Sequence, residues 1–391
     1  MKIVHLCLSN FYIENFGYQE NLIPKYHKKN GHDVTIIASR FTYREDNGEP
    51  ELTKTGEYNN SNGIKVIRID YRYKWLGKLN EKLKIYEGTY KLLEKEQPDL
   101  IFNHGIQFLD LKEVARYVKD NPNCKLIADN HAAYINSGKN LFSREILHKR
   151  IYKWVIQKSL PYIKKIFVLA PGCRDFVKEM YNVSDEKMEY LYLGADTEKI
   201  DFKNQEEIKV KIRNSLNISG DDFVLITGGK LSKGKNIELL LKSIKKIQYK
   251  KLKLLVFGVF SDDIKQEMLK LIKLDDRVSY IGWLNGEDVY DYYMASDAAI
   301  FPGTKSALWE QAICSGLPLI CKRWEGMEYV DVGGNCLFID DDNEDRIKEF
   351  IEILMNDNEL YSNMRVIAKT RGYETFSYER ISRQAIKLGD N

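Results

Sequence analysis

The sequence predicts an α/β protein built as two doubly wound domains that face a central cleft. Three observations carry this. Short apolar runs alternate with helical patterns almost throughout, as in parallel sheets covered by helices on both faces. The series restarts after a charged stretch from Asp196 to Asp221 that lacks a clear strand. A length of 391 residues also exceeds one compact core and suits two domains of ordinary size. In open sheets of this kind ligands lie beyond the carboxyl ends of the strands, so two such domains would share a cleft.

In order, the apolar runs place strands at 2–8, 33–39, 64–69, 100–104, 125–130, 165–170 and 188–193, and then at 222–228, 251–258, 278–283, 298–301, 317–322 and 335–340. Between them lie amphipathic segments such as Ile237, Leu240, Leu241 and Ile244 at helical spacing. The expected organisation is a first domain over 1–200, a linker near 196–220, a second domain over 201–372, and a terminal helix in 373–391 that packs back on the first domain. No repeat of solenoid period and no low-complexity tract interrupts the series.

Composition narrows the classes. Hydrophobic content of 43% and charged content of 30% belong to a folded globular chain. A net charge of +3 is too small to imply nucleic-acid binding. Its distribution is uneven, with 32 Lys and Arg against 26 Asp and Glu in residues 1–200, and 28 against 31 in the remainder. The basic first half suggests an acidic partner such as an anionic membrane surface. The six cysteines are scattered without a Cys-x-x-Cys pair, which supports neither a disulfide framework nor a zinc site. The first apolar run is too short for a signal peptide, and no run nears the ~18 residues that span a bilayer. These features point to the cytoplasm.

The most informative stretch is Phe301-Pro-Gly-Thr-Lys-Ser-Ala-Leu-Trp-Glu310-Gln-Ala-Ile-Cys-Ser-Gly-Leu-Pro318. It reads as a strand end, a Pro-Gly turn, a Ser/Thr cap and a helix closed by Gly316 and Pro318. Bare N–H groups at a helix start hold phosphate, and a carboxylate one turn on holds ribose hydroxyls. Glu310 is that carboxylate, and the combination suggests a nucleotide-sugar site.

A second constellation, Thr227-Gly-Gly229-Lys230-Leu-Ser-Lys-Gly-Lys235, follows a strand and opens a helix. Lys230 and Lys235 can pair with two phosphates while the glycines admit close backbone approach; the alternative is a solvated basic turn. The order of residues excludes a Walker A loop. His131 in Asp129-Asn-His131 stands just past a strand end, either facing the cleft or capping the next helix. Asn103-His104-Gly105 has the same placement and reads as structural. Gly17 would let a ligand approach the first helix, although the surrounding residues are no dinucleotide fingerprint. Bases mix with aromatics at 71–78 and 148–165. Helical spacing there puts Lys149 and Lys153 on one face near Trp154, as in an interfacial membrane helix or in a solvated helix whose Trp fills the core.

Together these residues resemble family 4 (group 1) glycosyltransferases of the GT-B fold, of the polysaccharide-biosynthesis type, and the resemblance covers almost the whole chain. Gly31-His32-Asp33-Val34, Gly229-Lys230-Leu-Ser-Lys-Gly-Lys235, Val278-Ser-Tyr-Ile-Gly282-Trp283 and Glu310-Gln-Ala-x-x-x-Gly316-Leu-Pro318 match family elements in order. The resemblance implies two Rossmann-like domains, a nucleotide-diphosphate sugar as donor, and transfer with retention and no bound metal. UDP-sugar is favoured over GDP-mannose, with no cofactor. It implies donor binding by Gly17, Gly229, Lys230, Lys235, Gly282, Trp283, Thr304, Ser306, Ala307, Leu308 and Glu310, and catalytic roles for His131, Lys230 and Lys235. The acceptor would be a glycan or lipid-linked molecule used in bacterial surface polysaccharide synthesis, met at the inner face of the cell membrane. The chain departs from the family in carrying Pro302 where a further Glu is usual, and Lys230 where Arg is usual. A nucleotide-sugar epimerase of the same fold, or a degenerate glycosyltransferase acting as a partner subunit, are the alternatives.

Overall fold

A computed structural model describes residues 1–43, 50–284, 286 and 288–389. The chain forms two compact units: the first is Met1–Tyr192 together with Ile381–Asn391, the second Leu193–Arg380.

The first unit holds strands β1 (Lys2–Cys7), β2 (Asp33–Ser39), β3 (Phe41–Tyr43), β4 (Pro50–Leu52), β5 (Gly56–Asn59), β6 (Lys65–Ile69), β7 (Leu100–Asn103), β8 (Lys125–Asn130), β9 (Lys165–Val168) and β10 (Met188–Tyr190). Eight of them make one sheet in the order β10-β9-β8-β7-β1-β2-β6-β5, and β3 pairs with β4 separately. All neighbours in the large sheet run parallel except β5 and β6. The central strands are buried on both faces, as continuous runs such as Ile3, Val4 and Leu6 require. The antiparallel β3–β4 pair and β5 were not expected from the sequence. Their residues are exposed or half-buried and lack the apolar alternation that marks a strand.

The second unit holds β11 (Phe223–Leu231), β12 (Leu252–Phe260), β13 (Val278–Gly282), β14 (Ala298–Phe301), β15 (Leu319–Lys322) and β16 (Cys336–Ile339), in the order β13-β12-β11-β14-β15-β16. Every pair is parallel. One consecutive core runs beneath the sheet, from Leu225 and Leu254 to Ile347 and Leu354.

Two boundaries differ from expectation. The second unit begins at Leu193 because Ala195 exchanges backbone hydrogen bonds with the 376–378 segment, Ala195 N to Phe376 O at 2.8 Å and Tyr378 N to Ala195 O at 3.1 Å. The stretch read as a linker carries helix Gln205–Ser215. Arg213 ties that helix to the sheet, since its NH2 donates to Asp297 Oδ2 at 2.7 Å while Val224 N donates to the same oxygen at 2.8 Å. The basic run at 148–165 is helical through Tyr162 without a break, its turns changing from wide (Ser143–Tyr152) to regular (Lys153–Ser159) to tight (Leu160–Tyr162), and only its end differs, where Lys165 opens β9.

Candidate active site

In the second unit the strand order reverses between β11 and β14, the place where doubly wound sheets bind ligands. The loops leaving these two strands are laced together. Lys235 Nζ donates to Thr304 O at 2.8 Å and to Lys305 O at 3.0 Å, and Thr304 N donates to Gly234 O at 2.8 Å. Asn236 Nδ2 donates to Pro302 O at 3.2 Å, and Trp324 Nε1 to Gly303 O at 3.0 Å. Gly303 is demanded by this closeness, because a Cβ there would stand 2.3 Å from Gly234 O. Burial lowers the pKa of the Lys235 ammonium. Its partners are neutral carbonyls, so an arriving anion would gain a charge-assisted bond without first displacing a carboxylate.

Lys230 is placed differently from expectation. β11 runs on through Leu231, so Lys230 lies on the strand itself, opposite Val259 of β12, with its side chain exposed. Strand extension past Gly228 was hidden by the two glycines, which ordinarily mark a loop. They are needed where β11 and β12 approach: Gly229 has φ +109° and Gly258 φ +111°, and a Cβ on Gly258 would lie 1.9 Å from Gly229 O.

Glu310 stands in the first turn of helix Leu308–Cys314. Ala307 occupies the cap position, and Ser306 Oγ accepts from Leu308 N at 3.4 Å. The residue is 1% exposed. Its Oε1 accepts from the Tyr329 hydroxyl at 2.6 Å, while Oε2 is buried without a hydrogen-bond partner. Burial pushes the Glu310 pKa up to about 7, against the Tyr329 hydroxyl and the Lys305 charge, which pull it down. A buried acceptor with an unused oxygen is costly unless a ligand supplies donors. Tyr329 was missed in the sequence because nothing in a short turn (Glu328–Val330) marks a residue 19 positions away as its partner.

Gly282 ends β13 with φ +81° and open space where a Cβ would be, and Trp283 beside it is 62% exposed. Thr304, Ser306 and Leu308 are half-buried and Ala307 is exposed. The structure therefore gathers Lys235, Thr304, Ser306, Ala307, Leu308 and Glu310 along one pair of loops, with Gly229 beside them, since a Cβ on it would lie 3.0 Å from Leu308 Cδ1.

In the first unit the strand order reverses between β1 and β7. The loops that follow meet there, with Asn10 N donating to His104 O at 3.1 Å. His131 follows β8. No helix begins at that point, so the capping alternative fails; Asn136 Nδ2 instead donates to the His131 carbonyl at 2.9 Å. His131 Nε2 lies 3.5 Å from Asp129 Oδ1 and 4.0 Å from Glu20 Oε1. Burial opposes the charged ring, but the Asp129 and Glu20 carboxylates outweigh it and lift the His131 pKa to about 9. A cavity of about 390 Å³ opens beside it, lined by Ser9, Asn10, Lys84, Gln107, His131 and His148 among others. Burial lowers the Lys84 pKa to about 8, and its Nζ donates to Ser9 O at 2.5 Å. Gly17 precedes helix Gln19–Lys29 in an exposed position with open space around it, so no close contact requires glycine there.

Trp154 is 56% exposed and Trp75 81% exposed, which excludes the reading in which Trp154 fills the core. The Tyr152 hydroxyl, within the second of these segments, donates to Lys82 O, four residues beyond the first. Among the described residues no helix is long and apolar enough to cross a membrane, and no group of three or more His, Cys, Asp and Glu is placed to share a metal ion.

Comparison with known proteins agrees with this geometry. Residues 208–371 match the model of glycosyl transferases group 1, and residues 21–199 match that of glycosyltransferase family 4. An uncharacterized glycosyltransferase of Methanocaldococcus jannaschii is 20% identical over 385 residues, 95% of this chain and 92% of its own. The N-acetylgalactosamine-N,N'-diacetylbacillosaminyl-diphospho-undecaprenol 4-alpha-N-acetylgalactosaminyltransferase of Campylobacter jejuni is 27% identical over 262 residues, 63% of this chain and 66% of its own. The Anabaena protein HepE, solved in complex with UDP and glucose, superposes with a TM-score of 0.66 at 15% identity over 100% of both chains. That likeness is one of fold, two Rossmann-like α/β domains of the GT-B type. With both halves matched by their own family models, this chain belongs to family 4, group 1 of the glycosyltransferases.

Proposed function

We propose that the second unit binds a nucleotide-diphosphate sugar and that the enzyme transfers the sugar with retention to a glycan or lipid-linked acceptor. The observation that carries the donor reading is Glu310, a buried carboxylate with one oxygen held by Tyr329 and the other unused. Ribose hydroxyls are the donors it lacks. Lys235 and Lys230 hold the diphosphate, and the open backbone at Gly282 with exposed Trp283 takes the nucleobase. UDP-sugar is favoured over GDP-mannose in this reading, which the UDP held by the similarly folded HepE supports. Charge developing on the departing diphosphate is met by the two ammonium groups, so no metal is required. His131 is the catalytic group on the acceptor side of this reading.

The Campylobacter relative's name includes a diphospho-undecaprenol acceptor, and this supports a lipid-linked acceptor in bacterial surface polysaccharide synthesis. Exposed Trp75, Leu141, Phe142 and Trp154 beside the basic residues of the first unit support work at an anionic membrane surface on its cytoplasmic side. A thermal-shift panel of UDP-, GDP- and other nucleotide sugars tests the donor class, since a ligand that binds only the folded state raises its Tm. A rise with UDP-sugars above that with GDP-mannose is expected. A flat response to every nucleotide sugar would sink the reading.

A further inference from the structure

Asp129 is the end of a buried chain of rings that the donor and acceptor sites do not use. His27 in helix Gln19–Lys29, His5 in β1 and His104 after β7 are each 0% exposed. His27 Nε2 lies 2.9 Å from the backbone oxygen of Ser382, and His27 Nδ1 lies 3.0 Å from His5 Nε2. His5 Nδ1 lies 3.0 Å from His104 Nε2, and His104 Nδ1 lies 2.8 Å from Asp129 Oδ2. Every nitrogen of the three rings is engaged. Phe102 stacks on His5 and His104, at 5.4 and 4.6 Å between ring centres, and helps fix their planes.

The two ends of this chain are a carbonyl and a carboxylate, both acceptors. Four contacts in series need four protons, yet a neutral imidazole brings only one, so three rings bring three. With only those three, one contact would set two lone pairs against each other in a site without water access. We propose that the His27–His5–His104 chain holds one proton beyond its three neutral rings, seated on His104 beside Asp129, and that this keeps Asp129 ionised and oriented beneath His131.

The charge balance favours this placement. Asp129 faces His104 at 2.8 Å and His131 at 3.5 Å, and Glu20 lies 4.0 Å from His131, so charge on both rings is matched by two carboxylates, none of them buried unpaired. Of the three rings only His104 touches the carboxylate, so the extra proton seated there makes a charged pair at 2.8 Å; burial and the neighbouring rings depress the pKa of both His5 and His27. Asp129 Oδ1 is then free to accept from Gly105 N at 2.7 Å and to face His131. The titratable groups around the chain include His131 and Glu20 beside Asp129, Cys7 on β1, and His32, whose ring lies edge-on to His27 at 6.0 Å. His5, His27 and His104 are thus positioning residues. Their consequence for turnover rests on the proposed role of His131, but the proton count does not.

The test is nitrogen-resolved NMR of the full chain with ring-¹⁵N histidine at pH 8. One of the three buried rings should carry two protons, and His27 should be protonated on Nε2. Three singly protonated rings would overturn the proposal. Asp129→Asn replaces the terminal acceptor by an amide that can donate, so all four contacts close with neutral rings. There every ring should be protonated on Nε2 only, and a surviving imidazolium would count against the chain. If that variant does not fold, His27→Phe serves: two contacts remain, two neutral rings satisfy them, and the imidazolium should vanish. In either variant nucleotide-sugar affinity should hold while turnover falls tenfold or more. Undiminished turnover without the imidazolium would refute the positioning role even if the proton count stood.

Discussion

The Tyr329 hydroxyl donates to Glu310 Oε1 at 2.6 Å and leaves Oε2 as a buried oxygen without a partner. Tyr329 thereby turns the carboxylate while contributing no charge of its own. Tyr329→Phe removes one hydrogen bond to a carboxylate, which typically contributes ~1.5–3 kcal/mol. Nucleotide-sugar affinity should fall about tenfold, and the Glu310 pKa should rise further because a donor that lowers it is gone. A calorimetric titration with undiminished affinity would show that Tyr329 does not set the carboxylate.

Lys230 and Lys235 should separate by stability. Lys235→Ala cuts the bonds to Thr304 O and Lys305 O, so both Tm and turnover should drop. Lys230→Ala removes an exposed side chain and should leave Tm within the small range of surface substitutions. Each should lower turnover by roughly 10²-fold if it acts like a typical transition-state donor. Loss should be greater for UDP than for uridine; equal loss for the two would contradict diphosphate binding.

Turnover is expected to persist in EDTA, since the two ammonium groups supply the positive charge. Abolition by EDTA with recovery on adding Mg²⁺ or Mn²⁺ would mean that the leaving group is stabilised otherwise.

Membrane attachment should depend on the first unit's basic, aromatic surface. Each base near an anionic bilayer contributes about 1 kcal/mol, and salt weakens it. Lys149 is partly neutralised by Glu145, whose Oε1 lies 2.9 Å from its Nζ. Lys149, Arg150 and Lys153 to Ser should therefore weaken vesicle binding less than three free charges would, and donor affinity should not change. Co-sedimentation with equal binding to neutral and anionic vesicles at low salt would remove the membrane from the account.

Much of the candidate donor site was legible because it is local. The Pro302-Gly303 turn, Ser306 and Glu310 are one short run whose spacing alone gives a strand end and a helix start. Lys230 was misplaced by one element because paired glycines read as a loop, while here they let β11 and β12 run close. Tyr329 and the His27–His5–His104 chain were illegible for a different reason. Their partners are 19, 22 and 99 residues away, and only parallel pairing of β1 with β7, which sets His5 opposite Phe102 just before His104, brings those rings together. His5 looks in the sequence like an isolated polar residue in an apolar run, and His27 like one more polar residue among Lys25, Lys28 and Lys29.

In the proposed donor complex Glu310 receives the ribose. Its carboxyl is raised to about 7 in the free protein, above the usual ~4.3 for Glu. Protonation therefore stabilises the free fold below the unfolded value, and this contribution is lost as pH rises through about 7. Ribose hydroxyls that donate to the carboxylate favour its ionised form. Binding of a UDP-sugar, whose diphosphate has no group titrating near neutrality, should therefore release a proton. The direct measurement is calorimetry of a UDP-sugar at pH 6 in buffers of different ionisation enthalpy, on the wild type and on Glu310→Gln. Release approaching one proton is expected in the wild type, none from this site in Glu310→Gln, and affinity weaker by roughly 10- to 100-fold in the variant. Equal affinity and equal proton release in a folded Glu310→Gln protein would contradict ribose binding at Glu310.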